Sequence, residues 1–230
     1  MHKHIIAIGG GGFGRSQGKM KIEKYIKKLS KSKNPRVCFI PTATGDSSDY
    51  KVGFYKTFSD LGCKASHIDL FKRTTDLKDH IYHQDIIYVG GGNTRSMLAV
   101  WKEWGLDIIL KKAYNRGVIM SGVSAGAICW FEKGITDSIE SNLSIMNCLG
   151  IVNGTCCPHY DEEKERIPYV KSILKKKIIS NCIAIEGNSA LHIINGKNFK
   201  NISFGVDKNS YTVSIKNKEL KEIPFKCKHI

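Results

Sequence analysis

Short, nearly continuous apolar runs punctuate the first half of the chain and alternate with helical stretches. The runs 4–9 (HIIAIG), 36–41 (RVCFIP), 64–70 (KASHIDL), 85–89 (DIIYV) and 118–123 (VIMSGV) are rich in β-branched residues and carry few charges. Strands buried on both faces have that composition. Between them, 20–32, 48–61, 94–115 and 125–131 read as helices, and Arg116-Gly117 supplies a stop signal for the third. Strand and helix in alternation predict an α/β fold: a doubly wound, mostly parallel sheet flanked by helices. In such sheets ligands sit at the carboxyl ends of the strands. Beyond residue 131 the pattern loosens into a strand at 151–157, a charged helix at 161–177 and strand-like runs at 182–186, 189–194 and 211–216. The stretch 182–194 reads as a hairpin around Gly187-Asn188. With no repeat, linker or boundary in view, residues 1–230 are expected to form one domain.

Composition narrows this picture slightly. A chain of 230 residues can bury roughly 70% of its unfolded surface and needs no staples. No apolar run approaches the ~20 residues of a membrane span, and the N-terminus enters a strand pattern too quickly for a signal peptide. The eight cysteines form no C-x-x-C pair and several lie in apolar runs, so they read as buried free thiols of a cytoplasmic protein. The net charge of +15 is concentrated in 19–33 and 171–177. In the first segment Ile22, Ile26 and Leu29 share one helical face and lysines cover the rest, as on a solvated helix. Without a nucleic-acid motif, no nucleic-acid partner is expected; the charge would only favour the approach of acidic substrates.

Three glycine clusters carry the chemistry. Gly9-x-Gly11-x-x-Gly14 matches a dinucleotide fingerprint. However, Gly14 is followed by the polar, turn-like Arg15-Ser16-Gln17-Gly18, and the second strand ends FIPTATG, without the carboxylate that would hold a ribose. A glycine loop bordering a site is the better reading, and no cofactor is expected. In the second cluster, Gly90-Gly91-Gly92 turns a strand into a helix with Asn93 as N-cap. Its backbone N–H groups suit an anion or an oxyanion, and Asn93 is a candidate substrate contact. The third, Gly122-x-Ser124-x-Gly126, lies between an apolar strand and an apolar helix, the context a nucleophile elbow requires. Small neighbours admit the strained turn, and the Ala125 N–H can face a developing oxyanion.

A serine nucleophile needs a base and a group to orient it. His159 follows an apolar strand and precedes a helix, so it belongs at the same sheet edge as Ser124. His67 and His192 lie inside strand patterns and read as structural. The acids at hand are Asp137, Asp161 and Glu186. Asp161 suits a helix cap, and Glu186 ends an apolar run and is favoured as orienter. No cluster has metal-ligand spacing. The order Ser124, His159, Glu186 differs from that of α/β-hydrolases.

The segments VGGGNT, GVSAGA, PHYD and IEGN, in that order across residues 36–196, resemble the peptidase E (aspartyl dipeptidase) family of serine peptidases. The resemblance implies a fold similar to class I glutamine amidotransferases. It implies cleavage of short peptides, with an acidic N-terminal residue, by Ser124, His159 and Glu186. Ala125 and one of Gly91 and Gly92 would form the oxyanion hole. Cyanophycinase-like relatives share the triad and take another acidic substrate. A monomer or homodimer acting on a small peptide is expected. A non-catalytic binding relative and a dinucleotide-binding oxidoreductase are the rival classes.

Overall fold

The computed structural model describes residues 2–13, 20–74, 76–139, 142–217 and 219–230. In chain order its elements are β1 (His4–Ile8), α1 (Lys21–Leu29), β2 (Arg36–Ile40), α2 (Ser48–Asp60), β3 (Lys64–His67), α3 (Leu77–Tyr82), β4 (Ile86–Val89), α4 (Thr94–Glu103), α5 (Leu106–Asn115), β5 (Ile119–Val123) and α6 (Ala125–Ile128). There follow β6 (Phe131–Thr136), β7 (Ser144–Asn147), β8 (Val152–Cys157), α7 (Arg166–Lys175), β9 (Cys182–Ile185), β10 (Ser189–Ile194), β11 (Asn198–Ser203), β12 (Ser210–Lys216), β13 (Glu219–Pro224) and β14 (Cys227–His229). The turn-like stretch expected at Gly14–Gly18 lies outside the described residues.

The α/β class holds, with the strands divided between two sheets. One has the order β14-β11-β10-β1-β5-β4-β2-β3, and its β1, β5, β4, β2 and β3 run parallel. The other, β13-β12-β9-β8-β6-β7, has a parallel centre of β6, β8 and β9 with antiparallel strands outside it. The expected 182–194 hairpin is therefore wrong. β9 joins the second sheet beside β8, whereas β10 crosses to the first and pairs antiparallel with β1 along its length. Both strands are apolar at successive positions and buried on both faces, so each needs neighbours that a two-stranded hairpin lacks.

Other differences have local causes. The helix expected over 94–115 breaks at Gly105, whose φ of +63° ends one helix and starts the next. The helix expected over 125–131 stops after one turn, and Phe131 opens β6. His80 lies in α3 and His83 is its C-cap.

Burial explains why the central strands lack alternation. Ile5 and Ala7 of β1 face one core with Trp101, Leu110, Trp130 and Leu191; Ile6 and Ile8 face another with Ile22, Phe54, Phe58 and Tyr88. Phe13 plugs the second core, its ring 5.1 Å from Tyr88, 5.2 Å from Tyr50 and 5.6 Å from Phe39. This fixes the described end of the glycine loop, because a buried aromatic ring is held by both area and edge contacts. A third core lies between α7 and the second sheet. All eight cysteines are free; Cys38, Cys129, Cys156, Cys157 and Cys182 are buried, and burial pushes the Cys38 and Cys157 thiols up to about 12. No helix among the described residues is long and apolar enough to cross a membrane.

On β10, between β1 and β11, His192 is almost wholly buried, with Nε2 2.9 Å from His4 Nδ1 and Nδ1 2.8 Å from the Tyr25 hydroxyl. Burial first, then the neighbouring His4 and Lys200, lowers its pKa to about 4. The unfolded chain, with a pKa near 6.5, then takes up the proton more readily than the folded one. Stability is full above about pH 6.5 and falls as pH drops toward about 4, by up to roughly 3 kcal/mol from this residue. Urea denaturation at pH 7.5 and 4.5 should show wild type losing more stability on acidification than His192→Gln; equal losses would contradict this.

Candidate functional site

The site forms where the carboxyl ends of both sets of parallel strands meet. Ser124 occupies the turn from β5 into α6 with φ 56° and ψ −112°, a conformation costly for any residue with a side chain. Its N–H donates to Ile8 O at 3.0 Å, and its carbonyl accepts from Ala127 and Ile128 at the start of α6. The elbow glycines are required by contact. An added Cβ on Gly122 would lie 2.4 Å from Gly126 O, and one on Gly126 would lie 2.2 Å from Val89 O. Thus β4, β5 and α6 approach backbone to backbone, and the serine is lifted above the sheet.

The second glycine cluster runs beside it. An added Cβ on Gly91 would sit 3.2 Å from Ser124 Cβ, and one on Gly92, whose φ is +132°, would sit 2.3 Å from Ala43 O. Asn93, the candidate substrate contact, has its side chain engaged as the α4 cap: Oδ1 accepts from the Ser96 N–H at 2.8 Å, and its own N–H donates to Ala43 O. It does not line the cleft. That cleft, about 400 Å³, is bounded by Gly11, Phe13, Thr44, Tyr50, Gly91, Gly92, Val123, Ser124 and His159. The glycine loop therefore borders the site, as expected.

His159 reaches the cleft from the second sheet. It follows β8, has a φ of 51°, is buried, and donates its backbone N–H to Gly9 O at 3.1 Å. Tyr160 N–H donates to Ile185 O at 3.2 Å, which ties the turn after β8 to the end of β9. His159 Nδ1 lies 2.5 Å from Glu162 Oε2. Glu162 is packed against glycine: an added Cβ on Gly10 would lie 2.4 Å from its Oε2, and one on Gly187 would lie 2.2 Å from its Cδ.

The expected orienter, Glu186, stands elsewhere. The Asn209 N–H donates to its Oε2 at 2.8 Å and the Tyr211 hydroxyl to its Oε1 at 3.3 Å. Both of its oxygens thus face the entry to β12, and the carboxylate on the imidazole is Glu162. Asp161 does not cap the next helix: its Oδ1 accepts from the Gly187 N–H at 2.7 Å, and Oδ2 pairs with Lys208. Burial works to raise the Asp161 pKa, but Lys208 and the Gly187 N–H outweigh it and hold the carboxyl below its usual value. Asp137 is exposed beyond the end of β6.

Sequence reasoning missed two acids here. Glu162, three residues after His159, reads as ordinary helix-start charge; the signal that could have found it is that spacing, one turn along from a loop histidine. Glu23 reads as one more charge on a lysine-rich helix, yet it is fully buried beneath the glycine loop, with Oε1 3.3 Å from where a Gly12 Cβ would stand. Burial raises its carboxyl pKa against the pull of nearby backbone N–H groups. Among the described residues no three His, Cys, Asp or Glu side chains converge as metal ligands.

Comparison with known proteins follows the same lines. The model of peptidase family S51 matches residues 5–201. The uncharacterized peptidase YgaJ of Bacillus subtilis strain 168 is 44% identical over 229 residues, covering 99% of both chains. The uncharacterized peptidase Lin0382 of Listeria innocua is 30% identical over 160 residues, 63% of this chain and 71% of that one. Two crystal structures share the fold. A peptidase E candidate from Listeria monocytogenes EGD-e has a TM-score of 0.68 at 21% identity, over 89% of this chain and 100% of that one. A peptidase from an acI-B1 Actinobacterium has a TM-score of 0.70 at 19% identity, over 98% of each.

The close backbone approach at the elbow predicts a contrast between two glycines. Gly126→Ala should lose about 2–4 kcal/mol, because the Cβ meets the Val89 carbonyl and no flexible side chain can yield. Gly53→Ala, inside α2 with its nearest neighbour at 3.8 Å, should gain about 0.5–1 kcal/mol. Thermal melts of the two variants check this; equal stability would refute the contact argument.

Proposed function

The chain belongs to peptidase family S51, and from that premise we propose that Ser124, His159 and Glu162 hydrolyse short peptides through an acyl-enzyme. The observation that carries the reading is the pairing of His159 Nδ1 with Glu162 Oε2 at 2.5 Å, on an imidazole that lines the same cleft as the strained Ser124. Nδ1 carries its proton toward Glu162, which leaves Nε2 as the base. Ser124 Oγ attacks the scissile carbonyl as His159 accepts its proton. The carbonyl carbon becomes tetrahedral, and the negative charge on its oxygen is met by backbone N–H groups of Ala125 and of Gly91 or Gly92. His159 returns the proton to the leaving amine. Water then enters by the same route, with His159 again as base, and frees the acid. Glu162 holds the ring and stabilises the imidazolium without taking its proton.

A small cleft favours a peptide of a few residues over a folded protein. The preference for an acidic N-terminal residue is part of this proposal and comes from the family resemblance; the net charge of +15 would only favour the approach of an acidic substrate, since the titratable side chains among the described cleft residues are Tyr50 and His159. Cytoplasmic location is likewise proposed, on the eight free thiols.

Ser124→Ala should fold normally and lose a factor of about 10³ or more in kcat/KM, together with labelling by a fluorophosphonate. Glu162→Gln should lower kcat by orders of magnitude with little change in KM, while Glu186→Gln should be mild. If Glu186→Gln is the inactive variant and Glu162→Gln is near normal, Glu186 is the orienter after all. Chromogenic amides of Asp and Leu compared on wild type test the acidic preference; faster cleavage of the Leu amide would remove it and leave the nucleophile standing.

A further inference from the structure

Asp161, Glu162 and Glu186 stand at the same sheet edge as His159, and of the three Glu162 meets the imidazole; among the described residues one ammonium, that of Lys208, pairs with this group. Asp161 and Glu162 come from the turn after β8 and Glu186 from the end of β9; Lys208 comes from the turn before β12. Lys208 Nζ pairs with Asp161 Oδ2, and the Gly187 N–H bonds the other Asp161 oxygen at 2.7 Å. Gly187 in turn abuts Glu162, the partner of His159 Nδ1. The next residue after Lys208, Asn209, holds Glu186 through its backbone N–H. The chain of contacts Lys208, Asp161, Gly187, Glu162, His159 is therefore continuous.

Among the described residues, other charged and titratable groups nearby have partners of their own. Glu163 pairs with Arg166 at 2.6 Å, Tyr160 donates to Glu222, and Tyr211 donates to Glu186. The Lys208 pKa is raised, first by its bond to Asp161 and then, beyond that carboxylate, by the charges of Glu186 and Glu162. Lys208 thus experiences all three acids at once.

We infer that Lys208 is a positioning residue that sets the basicity of His159 by neutralising part of this carboxylate cluster. With Lys208 in place, an imidazolium at His159 faces Glu162 directly, and the Asp161 charge one contact further out is offset by the ammonium. Remove the ammonium and the imidazolium is favoured, so the base is already protonated at a pH where wild type is active. Remove Asp161 instead and the unpaired ammonium disfavours the imidazolium. Opposite shifts from two surface-facing partners are an electrostatic signature that a packing role does not produce. The inference rests on His159 acting as the base, and the test separates the two.

The experiment follows the His159 ring by NMR titration and, in parallel, the acid limb of kcat/KM, in wild type, Lys208→Met, Lys208→Arg, Asp161→Asn and the double variant Lys208→Met/Asp161→Asn. Lys208→Met should raise the His159 pKa by about 0.5–1 unit, Asp161→Asn should lower it by a similar amount, and the double variant and Lys208→Arg should return it near wild type. In Lys208→Met, kcat/KM should fall about 3–10-fold near pH 6 and recover above pH 8. A folded Lys208→Met whose His159 pKa is unmoved overturns the inference. If Lys208→Met does not fold, Asp161→Asn alone decides, and an unmoved pKa there overturns it equally. If the NMR pKa shifts as stated but the rate profile does not follow, Lys208 does tune His159 and the assignment of His159 as base fails instead.

Discussion

The close approach of β4, β5 and α6 is the constraint from which the site is built. Gly122, Gly126 and Val89 meet backbone to backbone, with room for no further atom. That contact forces the chain to leave β5 steeply. It places Ser124 in a conformation that a free residue would avoid, and the Ile8 carbonyl on β1 then ties its N–H down. Strain of this kind persists only where the surroundings over-determine it. Here they do so from several sides: buried strands flank the turn, and Ala125, Ala127 and Ile128 are packed beneath it.

A second requirement follows, since on the proposed reading the histidine that serves a serine raised above one sheet has to be brought from another place. The crossing between β9 and β10 accomplishes this. Because consecutive strands enter different sheets, the end of β9 and the turn after β8 are drawn against the glycine loop of β1, through His159 N–H to Gly9 O and Asn188 N–H to Gly10 O. A hairpin would have kept them apart. Gly9, Gly10 and Gly187 are small for the same reason: side chains there would collide with Glu186, Ile185 or Glu162. The described glycines of the first cluster, which matches a dinucleotide fingerprint in spelling, form the floor on which the two sheets are joined.

How much of this the chain reveals depends on the range of the interaction. Ser124, its glycine neighbours and the Gly90–Gly92 turn are legible because each is a local conformation with a local composition. His159 is legible because it stands at a strand end. The division into two sheets is not, since 182–186 and 189–194 carry the same apolar pattern whether they pair with each other or with distant strands. For the acid, the pattern "apolar strand, then carboxylate" pointed to Glu186, whereas the carboxylate paired with His159 Nδ1 is that of Glu162. Both carboxylates lie at the same sheet edge, and their assignment turns on side-chain directions that composition cannot encode. Gly105 was visible as a residue but not as a break, because a single glycine within an amphipathic pattern is tolerated as often as it interrupts.

The cysteines, numerous and unpaired, acquire a meaning from where they are. Thiols usually outcompete hydroxyls for electrophiles, because a thiolate forms within reach of neutral pH. In this chain burial moves that threshold far upward for Cys38, Cys148 and Cys157, to about 12, and no cysteine borders the cleft. An electrophile seated between Phe13 and Ser124 therefore meets the hydroxyls of Ser124, Thr44 and Tyr50 and no competing sulfur. On the proposed reading the reacting atom is the Ser124 hydroxyl oxygen, which has no oxidation ladder to climb, so that chemistry would be insulated from redox changes that would silence a thiol-based counterpart of the same shape.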